Sequence, residues 1–138
     1  MIGIVIVTHS NLGDALIEAA GFILGQKPEA VKAVSIDLKI NAEILRKKIA
    51  DSIKAVNHHK GVIIMTDMFG GTPSNLSYSF LEDGRIEVIS GVNLPILIKA
   101  ANCREKMGLS ELAEILETYG KRSISLASAI LKGNKRRH

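Results

Sequence analysis

The chain has no tryptophan, only 4% aromatic residues and one cysteine in 138 residues. A core without aromatic bulk must be built from Ile, Leu, Val and Ala, and at 46% hydrophobic there is enough of these for one compact domain. A single thiol, Cys103, excludes an internal disulfide. It fits a reducing, cytoplasmic setting, and its place in a helical pattern suits a small core filler better than a nucleophile. No apolar run is long enough to span a bilayer, so direct membrane insertion is not expected. The opening apolar stretch has no basic flank and is interrupted at Thr8-His9, which makes it a first strand and not a signal peptide. Scarce aromatics also leave little for base stacking. The basic residues of the tail, 132–138, are therefore expected to be a solvated terminus and not a nucleic-acid arm, despite a formal net charge of +4.

Several catalytic signatures are missing too. There is no Gly-x-x-x-x-Gly-Lys-Ser/Thr loop, no Gly-x-Gly-x-x-Gly after the first strand and no Gly-x-Ser-x-Gly elbow. Nucleotide hydrolysis by a P-loop, dinucleotide binding and serine hydrolysis are thereby disfavoured. The histidines lack metal-ligand spacing, so neither a metal nor a cofactor is expected.

What is present alternates. Apolar strand patterns at residues 2–7, 31–36, 61–66 and 85–90 are each followed by a helical pattern, at 12–24, 42–56, 73–81 and 94–107. A last helix is expected at 110–119, capped by Ser110 and stopped by Gly120. Ser123-Ile124-Ser125-Leu126 alternates like a strand, which extends the reading to a fifth strand within 123–131. The fold expected is α/β: an open, mainly parallel four-stranded sheet with helices on both faces, in a domain spanning 1–131.

In such a sheet ligands bind beyond the carboxyl ends of the strands. The first strand ends at His9, the third at Asp67 and the fourth at Gly91 and Asn93. The turn Asp67-Met68-Phe69-Gly70-Gly71-Thr72-Pro73 is acidic, then glycine-rich, then a helix start, with Thr72 as a good N-cap and Pro73 in the first turn. Free amides at such a start favour an anion. An imidazole beside an anion cradle can accept a phosphoryl group, since histidine's reference pKa of about 6.5 leaves much of it neutral and nucleophilic. Asp67 would hold the other ring nitrogen, as a triad aspartate does. Gly70, Gly71 and Thr72, with Asn93, would shape the phosphoryl pocket. Phe69, an apolar residue in a polar turn, either tucks into the core or anchors a partner.

The opening Ile2-Gly3-Ile4-Val5-Ile6-Val7-Thr8-His9, the turn from Asp67 to Asn75 and Gly91-Val92-Asn93-Leu94-Pro95 together resemble the EIIA domain of the mannose family of the bacterial phosphoenolpyruvate-dependent sugar phosphotransferase system. The resemblance covers nearly the whole chain. It implies that His9 takes a phosphoryl group from phospho-HPr and passes it to a histidine of EIIB, for uptake of a mannose-type sugar. It implies that Asp67 orients the ring and that the Gly71-Thr72 turn binds the phosphoryl oxygens. It further implies a homodimer in which the C-terminal strand is exchanged, which would give residues 123–131 a place. Related domains serve dihydroxyacetone phosphorylation or act as regulatory phosphoacceptors, and both remain alternatives. The chain departs from the family at Ser10, where glycine often follows the histidine, and at Met68-Phe69, where tryptophan is common. These departures mark Ser10 and Phe69 as candidate partner-docking residues. No EIIB segment follows on this chain, so EIIB is expected as a separate protein.

Overall fold

In a computed structural model, which describes residues 1–133, four strands alternate with helices: β1 (Gly3–His9), α1 (Leu12–Leu24), β2 (Val31–Ile36), α2 (Ala42–Val56), β3 (Val62–Thr66), α3 (Thr72–Tyr78), β4 (Ile86–Ser90) and α4 (Leu94–Cys103). Two further helices follow, α5 (Leu109–Arg122) and α6 (Ala127–Leu131). The sheet is wholly parallel with strand order β2-β1-β3-β4. Its two central strands are buried on both faces, which is why β1 and β3 read as unbroken apolar runs and not as alternations.

Each face has its own core. On one side Ile4, Ile6, Ile63 and Met65 pack with Ile17, Leu97, Leu112 and Leu116 of α1, α4 and α5. On the other, Val5, Val7, Val62 and Ile64 pack with Leu45, Ile49, Ile53 and Val56 of α2. This matches the expected double covering. Residues that alternate along a strand enter opposite cores, because successive side chains leave a strand on opposite faces.

The helix ends differ from the sequence reading at several points. The amide of Gly13 is capped by the buried Thr8 hydroxyl, 3.0 Å away, while Asn11 at the cap position makes no side-chain capping bond. Gly71, not Thr72, is the N-cap of α3, and Thr72 is its first residue. Gly108, not Ser110, precedes α5. That helix also runs through Gly120 instead of stopping there. A Cβ on Gly120 would lie 2.9 Å from Ile96 Cγ2, so this glycine lets α5 approach α4 closely and is not a terminator. The α4 helix ends at Cys103, short of the expected 107, and α3 ends at Tyr78, short of 81.

The fifth strand expected within 123–131 is not formed. In its place residues 124–126 are irregular and α6 follows, with Ile124 and Leu131 largely exposed. A strand needs a neighbour to satisfy its backbone, and among the described residues this segment has none. The C-terminal tail expected at 132–138 lies outside the described residues beyond Gly133.

Arg104, just past α4, has a structural role invisible in the sequence. Only 4% exposed, it donates to the carbonyls of Ile2 at 3.3 Å, Ala30 at 3.4 Å and Glu29. Burial lowers its pKa from the ordinary arginine value, with Glu105 and Glu29 opposing the shift. It ties α4 to the amino-terminal edge of the sheet, opposite the carboxyl-terminal rim.

Candidate functional site

The β1–β3 register pairs Val7 with Thr66, so His9, two residues past Val7, and Asp67, one past Thr66, emerge on the same rim. Asp67 Oδ2 accepts from His9 Nδ1 at 2.7 Å and from the His9 amide at 2.9 Å, while Oδ1 accepts from the Met68 amide at 3.0 Å. Burial by itself would raise the Asp67 carboxyl; the amide and ring of His9 and the Met68 amide outweigh it and hold its pKa below the ordinary aspartate value. Asp67 is therefore the ionised, accepting partner. Because an ionised carboxylate only accepts, the proton in the 2.7 Å contact belongs to Nδ1. The lone pair of a neutral ring is then at Nε2. The His9 side chain is 39% exposed and that of Asp67 12%, so the carboxylate is sheltered while the imidazole is open to a visitor.

Gly71 lies against the far side of the ring. A Cβ there would stand 3.0 Å from His9 Cε1 and 3.4 Å from Nε2. Its dihedrals, φ −91° and ψ 174°, suit any residue, so glycine at this position provides space and not an unusual backbone. Gly70 is the reverse case: its φ of 91° is the left-handed region that glycine accepts freely, and nothing crowds it. The Gly70 amide donates to Ser74 Oγ at 3.4 Å. Among the described residues, the amides of Gly71 and Thr72 have no hydrogen-bond acceptor, so the turn that borders the ring keeps two unpaired donors.

Asn93, Ser10 and Phe69 make no hydrogen bond to the His9–Asp67 pair among the described residues. The Asn93 carboxamide makes two bonds. Its Oδ1 caps α4 by accepting from the Ile96 amide at 2.9 Å, and its Nδ2 donates to Ser123 Oγ at 3.3 Å. The structure thus gives Asn93 a capping role, with no hydrogen bond to His9 or to the glycine turn. Ser10, next to the histidine, is exposed and has a φ of 52°, a left-handed conformation that costs a serine about 1 kcal/mol or more. Phe69 does not tuck into the core. It is 74% exposed, and its ring rests on Tyr78 with centroids 5.9 Å apart. Thr8, Ser74 and Tyr78 give no signal in the sequence, because hydroxyl residues on strand ends and short helices carry no spacing signature.

Among the described residues no group of three or more His, Cys, Asp or Glu side chains is placed to hold a metal ion, and no helix is long and apolar enough to cross a membrane. The arrangement offers an imidazole nitrogen backed by a carboxylate and bordered by a turn with unpaired amides. That set suits transfer of an anionic group to and from nitrogen.

Comparison with known proteins points the same way. A family model described as "PTS system fructose IIA component" matches residues 3–117. The fructose-specific EIIA component of Bacillus subtilis is 32% identical over 133 residues, covering 96% of this chain and 90% of that protein. The mannose-specific EIIAB component of Escherichia coli K12 is 30% identical over 130 residues, covering 93% of this chain but 40% of that longer protein. Among solved structures, the phosphotransferase system component EIIA of Streptococcus agalactiae superposes with a TM-score of 0.83 at 27% identity, covering 94% of this chain and 99% of that one. With a parallel sheet that carries a histidine and an aspartate to one rim, and with relatives matching over nearly its whole length, the chain belongs to the mannose-family EIIA domains of the sugar phosphotransferase system.

Proposed function

We propose that this domain is a phosphocarrier in which His9 accepts a phosphoryl group from phospho-HPr and delivers it to a histidine of a separate EIIB protein, for uptake of a mannose-type sugar. The observation that carries the reading is the tethering of Nδ1 to Asp67 at 2.7 Å, with Nε2 left free beside Gly71. In the forward step the Nε2 lone pair forms a bond to phosphorus as the donor's P–N bond breaks, and that electron pair returns to the donor imidazole. The Nδ1 proton stays shared with Asp67, whose negative charge offsets the positive charge the ring gains. The amides of Gly71 and Thr72 and the Thr72 hydroxyl stabilise the phosphoryl oxygens. Delivery to EIIB is the same step in reverse with a different imidazole. No metal or cofactor enters, because the group passes directly between nitrogens. Ser10 and the exposed Phe69 lie where a partner must approach.

A homodimer is part of the proposal. Among the described residues no further strand pairs with the outer edge of β4. A groove of about 630 Å³ runs beside it, lined by Val88, Ile89, Ile96, Leu116 and Ile124 among others. Residues 123–131 of a second copy would supply the missing strand and bury the exposed Ile124 and Leu126. We place the protein in the cytoplasm, where both partners act.

Incubation with labelled phosphoenolpyruvate, Enzyme I and HPr tests the carrier step. Acid-labile label is expected on the protein and absent from His9→Ala. Label persisting in that variant would place the acceptor elsewhere. Sugar uptake in a strain lacking the protein separates transport from a regulatory phosphoacceptor or a role in dihydroxyacetone phosphorylation, since unchanged uptake excludes transport.

A further inference from the structure

We infer that Tyr78 is a positioning residue that clamps the loop of residues 67–71 to the end of β4, and through it holds the His9–Asp67 pair in register. The inference rests on the phosphocarrier reading for its kinetic consequences, but not for its structural one.

The 67–71 loop is poorly packed. Met68 and Phe69 are exposed, and nothing lies within 4 Å of where a Cβ on Gly70 would sit. Apart from the bonds of Asp67 itself and the first-turn bond of α3 from the Asn75 amide to the Gly71 carbonyl at 2.9 Å, the loop has two attachments among the described residues. One is the long 3.4 Å bond from the Gly70 amide to Ser74 Oγ. The other is the Phe69 ring, tilted 48° against Tyr78 at 5.9 Å, a geometry aromatic pairs favour.

Tyr78 is the last residue of α3 and has a second contact. Its hydroxyl shares a 3.1 Å hydrogen bond with Ser90 Oγ on the last residue of β4. Ser90 Oγ also accepts from Thr66 Oγ1 at 2.8 Å, and Thr66 immediately precedes Asp67. The Thr66 carbonyl in turn accepts the amides of Gly91 and Val92, at 3.0 and 2.9 Å. Tyr78 therefore touches the loop from both directions: through its ring to Phe69, and through Ser90 and Thr66 to the strand end from which Asp67 leaves. Removing it would free the loop while leaving both cores untouched, since Tyr78 belongs to neither.

The test compares Tyr78→Ala and Tyr78→Phe with the wild-type protein. The first reading is NMR of the His9 ring, where the Nδ1 proton bound to a carboxylate gives a downfield resonance. We expect it to broaden and move upfield in Tyr78→Ala, and to change less in Tyr78→Phe, which keeps the ring and loses only the bond to Ser90. The second reading is transfer from phospho-HPr. A displacement of the pair by a fraction of an ångström should lower kcat about tenfold in Tyr78→Ala and about two- to threefold in Tyr78→Phe, with KM unchanged within about a factor of two. An unchanged resonance with unchanged kcat in both folded variants overturns the inference. A rise in KM alone also overturns it, because Tyr78 would then be a docking contact. If Tyr78→Ala fails to fold, Tyr78→Phe decides by the same two readings. If the wild-type protein takes no phosphoryl group, the proposed function falls, and the resonance still decides whether Tyr78 positions the pair.

Discussion

Replacing Gly71 by alanine separates the site's chemistry from its stability. The backbone at Gly71 is extended, with φ −91° and ψ 174°, so alanine fits without strain. Restricting the unfolded chain should stabilise the fold by up to about 1 kcal/mol. The added methyl, however, would sit 3.0 Å from His9 Cε1 and 3.4 Å from Nε2, where ordinary contacts begin near 3.4 Å. The ring must retreat by a few tenths of an ångström, and its retreat stretches the 2.7 Å bond to Asp67. The methyl also takes up space where the incoming phosphorus must sit. Misplacement by about 1 Å costs on the order of a hundredfold in rate. The smaller displacement plus the lost space should cost about tenfold or more, which is about 1.4 kcal/mol or more in the barrier. The assay is single-turnover transfer from phospho-HPr, run beside thermal unfolding. Retained or raised Tm with slowed transfer is the expected result. Transfer at the wild-type rate would mean that Nε2 is not the reacting nitrogen or that Gly71 does not bound the pocket.

Three further outcomes follow from the same geometry. Asp67→Asn should leave the fold intact and slow transfer by on the order of a hundredfold, because the charge offsetting the imidazolium is lost and one end of the amide meets an N–H donor; single-turnover rates measure it. The Asp67 carboxyl is held below its ordinary pKa, so its ionised form contributes stability that is fully present above the unfolded value of about 3.9 and is lost as pH falls through the lower folded value. Denaturation of wild type and Asp67→Asn should therefore show a difference that shrinks as pH falls below about 4; a gap that widens over that acid range would refute the assignment. Arg104→Leu should destabilise by about 2–3 kcal/mol, since three backbone carbonyls lose a buried charged donor, without changing transfer in the folded fraction. Urea titration reads the first effect and the phosphorylation assay the second.

Much of this molecule is legible in one dimension. Apolar runs at β1 and β3 and looser patterns at β2 and β4, separated by helical periods, are enough for a parallel sheet covered on both faces, because only that arrangement buries every run. The rule that strand carboxyl ends share a rim then gathers His9 and Asp67 without coordinates. What failed was local and had physical reasons. Gly120 looks like a helix stop in the sequence, and only contact with Ile96 reveals it as a packing residue. The alternation at 123–126 looks like a strand, but a strand requires an edge to pair with, and that requirement is not written in the segment.

The order of patterns along the chain therefore determined the sheet, its two cores and the rim on which the chemistry sits. Tertiary structure alone decided which nitrogen of His9 is held and which is free, since that depends on a 2.7 Å contact between residues 58 positions apart. It also decided that Gly71 provides space while Gly70 provides a turn, that Thr8 caps α1, and that Tyr78 joins the loop to β4. Periodicity records which face of an element is buried, because burial repeats along the chain. A hydrogen bond between two loops leaves no period, so it becomes visible only once the strands have been set in register.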